Sequence, residues 1–226
     1  MIRTYVNNGL ILFEDQHLAV IDKPAGLLSQ GEHTGDDNLV DRLRVYFGRN
    51  YVGLVHRLDR NTSGLMVVAK RSKSATRLTD ALQEGTLDRT YLAWICGRMS
   101  APARWEHFLL KDERTNTVRP VAAGTKGAKA SALKVEPVRE ARWRGIEVTL
   151  AHFTLETGRS HQIRVQAAAS GFPLLGDTKY GANRFPTSRE FGRPALHSSA
   201  LSFPHPMSGE TMRFEAPLPA DMAAVG

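Results

Sequence analysis

The chain has 226 residues, with 42% hydrophobic and 23% charged side chains, ordinary proportions for a soluble globular protein. Lys and Arg total 30 against 23 Asp and Glu, a formal net charge of +7; this favours an anionic partner such as nucleic acid, and equally fits a merely basic surface. The one cysteine, Cys96, excludes an intrachain disulfide and thiolate zinc sites, and no window reaches the roughly 18 apolar residues that a membrane span needs.

The first residues, MIRTYVNNGLILFEDQH, lack the apolar run and small-residue site of a cleavable leader, so a reducing, cytoplasmic location is the expectation. LILFE and HLAVIDKP read as two short strands, and Pro24 and Gly26 then break the pattern into the polar loop LLSQGEHTGDD. In NLVDRLRVYFG, Leu39, Val40, Leu43, Tyr46 and Phe47 recur at helical spacing, with Asp36 or Asp37 as cap and Gly48 as stop. GLMVVAK is a buried strand. SKSATRLTDALQEG is a helix, with Ser72 or Ser74 as cap and Gly85 as terminator. RTYLAWICG is again a strand, in which Cys96 packs as a small hydrophobe.

From Met99 to about Ala128 the pattern is irregular, and we expect a long excursion carrying positive charge. KASALKVEPV and GIEVTLAHFTLE look like a strand pair joined around REARWRG, and GRSHQIRVQAAASG like a helix ending at Gly171. The remainder is loop-rich, with a final strand around ALSFPHP. No internal repeat or linker divides the chain. The expectation is one domain over 1–226 of α+β class, with a mixed, mostly antiparallel sheet.

Within LVHRLDRNTSGLMVVAK, Asp59 lies between two arginines and just ahead of an apolar strand. Local sequence leaves three readings open. It can cap a turn through the amides near Asn61 and Thr62. It can pair at the surface with Arg57 or Arg60, worth less than about 1 kcal/mol. Or it can be a nucleophile or base held by an arginine.

HRLDRNTSGL resembles the signature of the RluA-type pseudouridine synthases, which convert uridine in RNA to pseudouridine. Four further blocks resemble that family in order: LAVIDKPAGL, RTYLAWICG, LETGRSHQIRVQAAASGFPLLGDTKYG and ALHSSALSFPHPMSGETMRFEAPLP, together spanning about 10–219. The resemblance implies a catalytic domain with an active-site cleft across its sheet. It also implies no separate N-terminal S4-type module, because about nine residues precede the first matching strand.

The same resemblance implies roles. Asp59 is the essential carboxylate, acting as nucleophile or base. Arg164 pairs with it, and Tyr91 stacks on the uracil and serves in proton transfer. Arg57 fills the gap left by a flipped nucleotide, since the reacting atoms are shielded in a stacked helix. His56 shapes the loop, and Thr62, Ser63 and Gly64 fix the turn. Ile163, Leu174 and Leu175 form apolar walls against the base. The isomerisation needs neither redox change nor group transfer from outside, so no cofactor and no metal is expected.

Three positions depart from the family pattern: Arg89 where lysine is common, Gln166 where histidine often follows, and an acidic N-terminal loop. Expected partners are ribosomal or transfer RNA, bound by a monomer. The competing readings are a catalytically silent RNA-binding protein and a hydrolase with an Asp nucleophile. LDRNTSG lacks the D-x-D run of aspartyl phosphatases, and pure binding has no need of the Asp59, Tyr91 and Arg164 set.

Overall fold

The computed structural model describes residues 10–31, 35–181 and 184–226. Part of the acidic loop, 32–34, and the nine residues ahead of the first strand lie outside the described residues. The chain forms two compact units. The first takes the chain up to Arg89 together with His197–Pro217, and the second takes Thr90–Leu196 with Leu218–Gly226.

The first unit is built on β1 (Ile11–Glu14), β2 (Leu18–Lys23), β3 (Gly53–Leu54), β4 (Ser63–Ala69), β10 (Leu196–Pro204) and β11 (Thr211–Glu215). Their order is β1-β2-β4-β10, with β3 beside β4 and β11 beside β10. All pairs are antiparallel except β4 with β10, which run parallel through His197–Ser63 and Ser198–Gly64. All seven residues of β4 are buried, as its unbroken apolar run requires of a strand covered on both faces. Leu65, Val67 and Ala69 meet Leu18, Val20, Leu78, Leu201 and Phe203 in this unit's core.

Among the described residues this unit also holds the helices α1 (Leu39–Phe47) and α2 (Ser72–Gln83). The α1 cap is Asn38 rather than Asp36 or Asp37; its side chain accepts from the Asp41 amide. Asp37 instead pairs with Arg42, and Asp36 with Arg60 at 2.9 Å. Gly48 stops α1 in the left-handed region, as expected. At α2 the expected serine cap is absent. Arg71 holds the cap position without a side-chain bond, and Ser74 is buried one turn in.

The second unit orders β5 (Asp88–Cys96), β9 (Ile146–Leu155), β8 (Lys129–Trp143), β6 (Ala103–Asp112) and β7 (Thr117–Val121) as an antiparallel β5-β9-β8-β6-β7 array. Helix α3 (Gln162–Ala169) follows, then a 3₁₀ turn (Pro186–Phe191) and the short α4 (Ala220–Ala223). Trp94, Cys96, Val148, Leu150 and Leu175 form its main core with Met222 and Val225. Burial pushes the Cys96 thiol up to about 12, against a weaker pull from Ser188, so it packs as a hydrophobe.

The expected irregular excursion from Met99 to Ala128 is corrected here: it is the hairpin β6–β7. In β6 Trp105 and Leu109 face inward while Arg104 and Glu106 face water, and the outward charges conceal the strand in the sequence. Pro120 is accommodated because β7 is the edge of this array. The C-terminal part of the chain also holds more than loops, since β11, the 3₁₀ turn and α4 were not expected.

Candidate active site

The residues singled out from the sequence divide between the units: His56, Arg57, Asp59 and Thr62 in the first, Tyr91, Ile163, Arg164 and Leu174 in the second.

Asp59 sits half-buried in the loop between β3 and β4. The loop is a turn closed by the Thr62 amide, which donates to the Asp59 carbonyl at 3.0 Å. Both neighbours of Asp59 are braced by the segment after β2. Ser29 Oγ donates to the Leu58 carbonyl at 2.7 Å and accepts from the Leu58 amide at 3.2 Å. The Gly26 amide donates to the Arg60 carbonyl at 2.8 Å, and Arg60 Nε returns a bond to the Gly26 carbonyl at 3.1 Å.

Lys23 is fully buried beneath this crossing. Its ammonium donates to the carbonyls of Leu27 (2.8 Å), Pro24 (2.9 Å) and Arg60 (3.1 Å). A buried cation needs such partners, and here three carbonyl dipoles supply them. The DKPAG segment is thus part of what fixes Asp59, a role the sequence reading did not give to Lys23 or Ser29. The signal was available: a lysine at the end of an apolar strand, followed by Pro and Gly, has no reason to be there unless it is bonded to backbone.

His56 is buried. Its Nε2 accepts from the Val67 amide at 3.2 Å, which places the ring proton on Nδ1. Burial, with a smaller push from Arg89, lowers its pKa to about 3, so the ring is neutral and shapes the loop. Ser63 Oγ shares a 2.9 Å bond with His197 Nδ1, which ties the start of β4 to β10. Arg57 is exposed and makes no ion pair among the described residues.

In the second unit Tyr91 lies on β5 opposite Phe153, and is buried. Ile163 and Leu174 are also buried. Leu175 packs in the core cluster. Arg164 projects from α3, and Asp177 holds its guanidinium on two edges: Nε donates to Oδ2 at 2.7 Å and Nη2 to Oδ1 at 2.9 Å. Asp177, from LLGDTKYG, received no role in the sequence reading.

Gln166 is fully buried, two residues beyond Arg164 on α3. Its Nε2 donates to the Trp105 carbonyl at 3.0 Å and approaches His107 Nδ1 at 3.1 Å, tying α3 to β6. The glutamine here thus forms a cross-brace between α3 and β6. Among the described residues no cluster of metal-ligating side chains occurs.

A carboxylate held from both sides by backbone bonds suits chemistry on a bound molecule, where small displacements are costly. The sequence model of the family described as RNA pseudouridylate synthase matches residues 17–169. Ribosomal large subunit pseudouridine synthase D of Vibrio parahaemolyticus is 38% identical over 230 residues, covering 95% of this chain and 69% of that protein. The uncharacterized RNA pseudouridine synthase YjbO of Bacillus subtilis is 38% identical over 226 residues, covering 94% and 74%. Among solved structures, human RNA pseudouridylate synthase domain containing 1 superposes with a TM-score of 0.76 at 25% identity, covering 94% of this chain and 84% of that one. The fold and the match define an RNA-modifying isomerase. The chain belongs to the RNA pseudouridylate synthase family.

Proposed function

We propose that this pseudouridine synthase acts on one or a few uridines of ribosomal RNA, with Asp59 as the reacting carboxylate. The observation that carries the target class is the 38% identity, over 95% of the chain, to a protein named for the large ribosomal subunit. The observation that supports Asp59 is its turn, braced on both sides by Lys23, Gly26 and Ser29.

The reaction breaks the bond from uracil N1 to the ribose, turns the base while it is held, forms a bond from C5 to the same ribose carbon, and removes the C5 proton. Asp59 starts it, either by attacking the sugar or by taking a proton from it. Arg164 supplies the positive charge that favours an ionised carboxylate. Tyr91 stacks on the base and assists the final proton transfer. Arg57, exposed and unpaired among the described residues, occupies the space that the flipped nucleotide vacates. His56 and Thr62 keep the loop in shape, and Ile163 and Leu174 are the apolar side chains assigned to the base. Transfer RNA is the second substrate pool to be tested.

Loss of the C5 hydrogen gives the assay. Ribosomal RNA transcribed with uridine tritiated at C5 is expected to release tritium to water with the wild-type protein and none above background with Asp59→Asn. Release by Asp59→Asn at the wild-type rate would remove Asp59 from the chemistry.

A further inference from the structure

Helix α3 and the segment 174–181 share a bonded network that fixes Arg164. Asp177 has no exposed side-chain surface, and both of its oxygens are committed to the guanidinium. Its Oδ1 also accepts from the amides of Lys179 (3.0 Å) and Tyr180 (3.2 Å), so the carboxylate cannot turn without breaking the local backbone pattern. The Tyr180 ring lies under the guanidinium, with the Arg164 Cζ 5.1 Å from its centroid.

The Tyr180 hydroxyl is anchored in turn. It accepts from the Val118 amide of β7 at 3.0 Å and bonds His161 Nδ1 at 2.7 Å. An arginine side chain has four rotatable torsions before its planar head. A bidentate carboxylate fixes the plane of that head and its in-plane direction, and the ring beneath fixes its height.

We propose that Asp177 is a positioning residue for the isomerisation: it holds the Arg164 guanidinium in a single orientation. The proposal rests on the role given to Arg164 above. Its content is that the orientation of the charge, and not the presence of the charge alone, limits turnover. An Arg164 released from Asp177 keeps its charge and loses the bidentate constraint on its plane, and misplacement on the scale of 1 Å costs about 10²-fold in rate. Asp177→Asn keeps the side-chain size and one acceptor oxygen, but sets an NH₂ against the guanidinium where the second oxygen was.

The test combines kinetics on an unmodified ribosomal RNA transcript with NMR of the Arg164 Nε–H, assigned through Arg164→Lys. In the wild type this proton is expected to exchange slowly with water. In Asp177→Asn it should exchange at least about tenfold faster, with kcat down by about 10²-fold and KM within about threefold.

Wild-type kcat in folded Asp177→Asn would overturn the proposal. So would an Arg164 Nε–H that exchanges at the wild-type rate in Asp177→Asn, which would show the guanidinium held without Asp177. If Asp177→Asn does not fold, Asp177→Glu serves instead, because it retains the charge and displaces the guanidinium; wild-type kcat there would overturn the proposal as well. Arg164→Ala separates the two levels. Full activity in that variant would overturn the role of Arg164 itself. An inactive Arg164→Ala beside a fully active Asp177→Asn would overturn only the clamp.

Discussion

His56 shows how one side chain can be read twice. In the sequence it stands next to Arg57 and three positions from Asp59, a place where a titratable ring could react or could only shape the loop. In the fold it is buried, accepts from the Val67 amide, and has its pKa lowered to about 3, first by burial and then by Arg89. A pKa that is lower folded than unfolded means that the unfolded chain binds the extra proton between about pH 6.5 and 3. The stability that His56 contributes is therefore present above about pH 6.5 and is lost as pH falls, by up to about 1.4 kcal/mol per pH unit. Urea unfolding between pH 7 and 4.5 should show this slope in the wild type and a shallower one in His56→Gln. His107, also lowered by burial, accounts for part of what remains. Equal slopes in the two proteins would mean that His56 takes up its proton while folded. At this scale the sequence offers Asp59, Tyr91, Arg164 and Arg57 as the candidate reacting set, through the family resemblance. Lys23, Ser29 and Asp177 were not legible, because their roles lie in bonds to backbone or to residues distant in the chain, and spacing does not reveal such bonds.

At the scale of elements, the lip of β4 depends on Gly64. It has φ of +110°, and a Cβ there would lie 2.2 Å from the Ser198 carbonyl oxygen on the parallel neighbour β10. Neither strand can retreat, since both are paired on their other sides and carry core residues. Gly64→Ala is expected to cost about 3 kcal/mol or more and to lower Tm by about 6 °C or more. A thermal melt within about 1 °C of wild type would show that the two strands can part without penalty. Elements with a single strong signal were legible: β2 and β4 by their apolar runs, α1 by its period and Gly48. The hairpin β6–β7 was missed because its outward residues are charged and its edge strand carries Pro120. Helix caps were misassigned where several polar residues compete, as at Asp36, Asp37 and Asn38; a hydrogen bond selects among them, and composition does not.

For the whole molecule, charge and architecture were legible to different degrees. The excess of seven positive charges pointed to an anionic partner, and the family supplies RNA. Much of the positive stretch from Arg98 to Lys129 is neutralised locally, as in Arg98–Glu140, Arg104–Glu156 and Lys111–Glu113. Arg114, Arg119, Lys126 and Lys129 are exposed and carry no ion pair among the described residues. RNA binding should weaken steeply with salt, and Arg119→Gln with Lys126→Gln should make the slope of log K against log salt shallower by about 1.4. An unchanged slope would place the phosphate contacts elsewhere. The division into two compact units was not visible in the sequence. Two of its three boundaries fall inside β5 and β10, at Arg89–Thr90 and Leu196–His197, where no linker composition marks them, and the third lies between β11 and α4 at Pro217–Leu218.

The most direct test of the central claim is a pseudouridine map. The purified protein is incubated with unmodified ribosomal and transfer RNA, and pseudouridine is located at single-nucleotide resolution, with Asp59→Asn alongside. The expected result is one or a few new sites in ribosomal RNA with the wild type and none with Asp59→Asn. New sites that persist in Asp59→Asn, or a wild-type protein that binds both RNA pools and modifies neither, would contradict it.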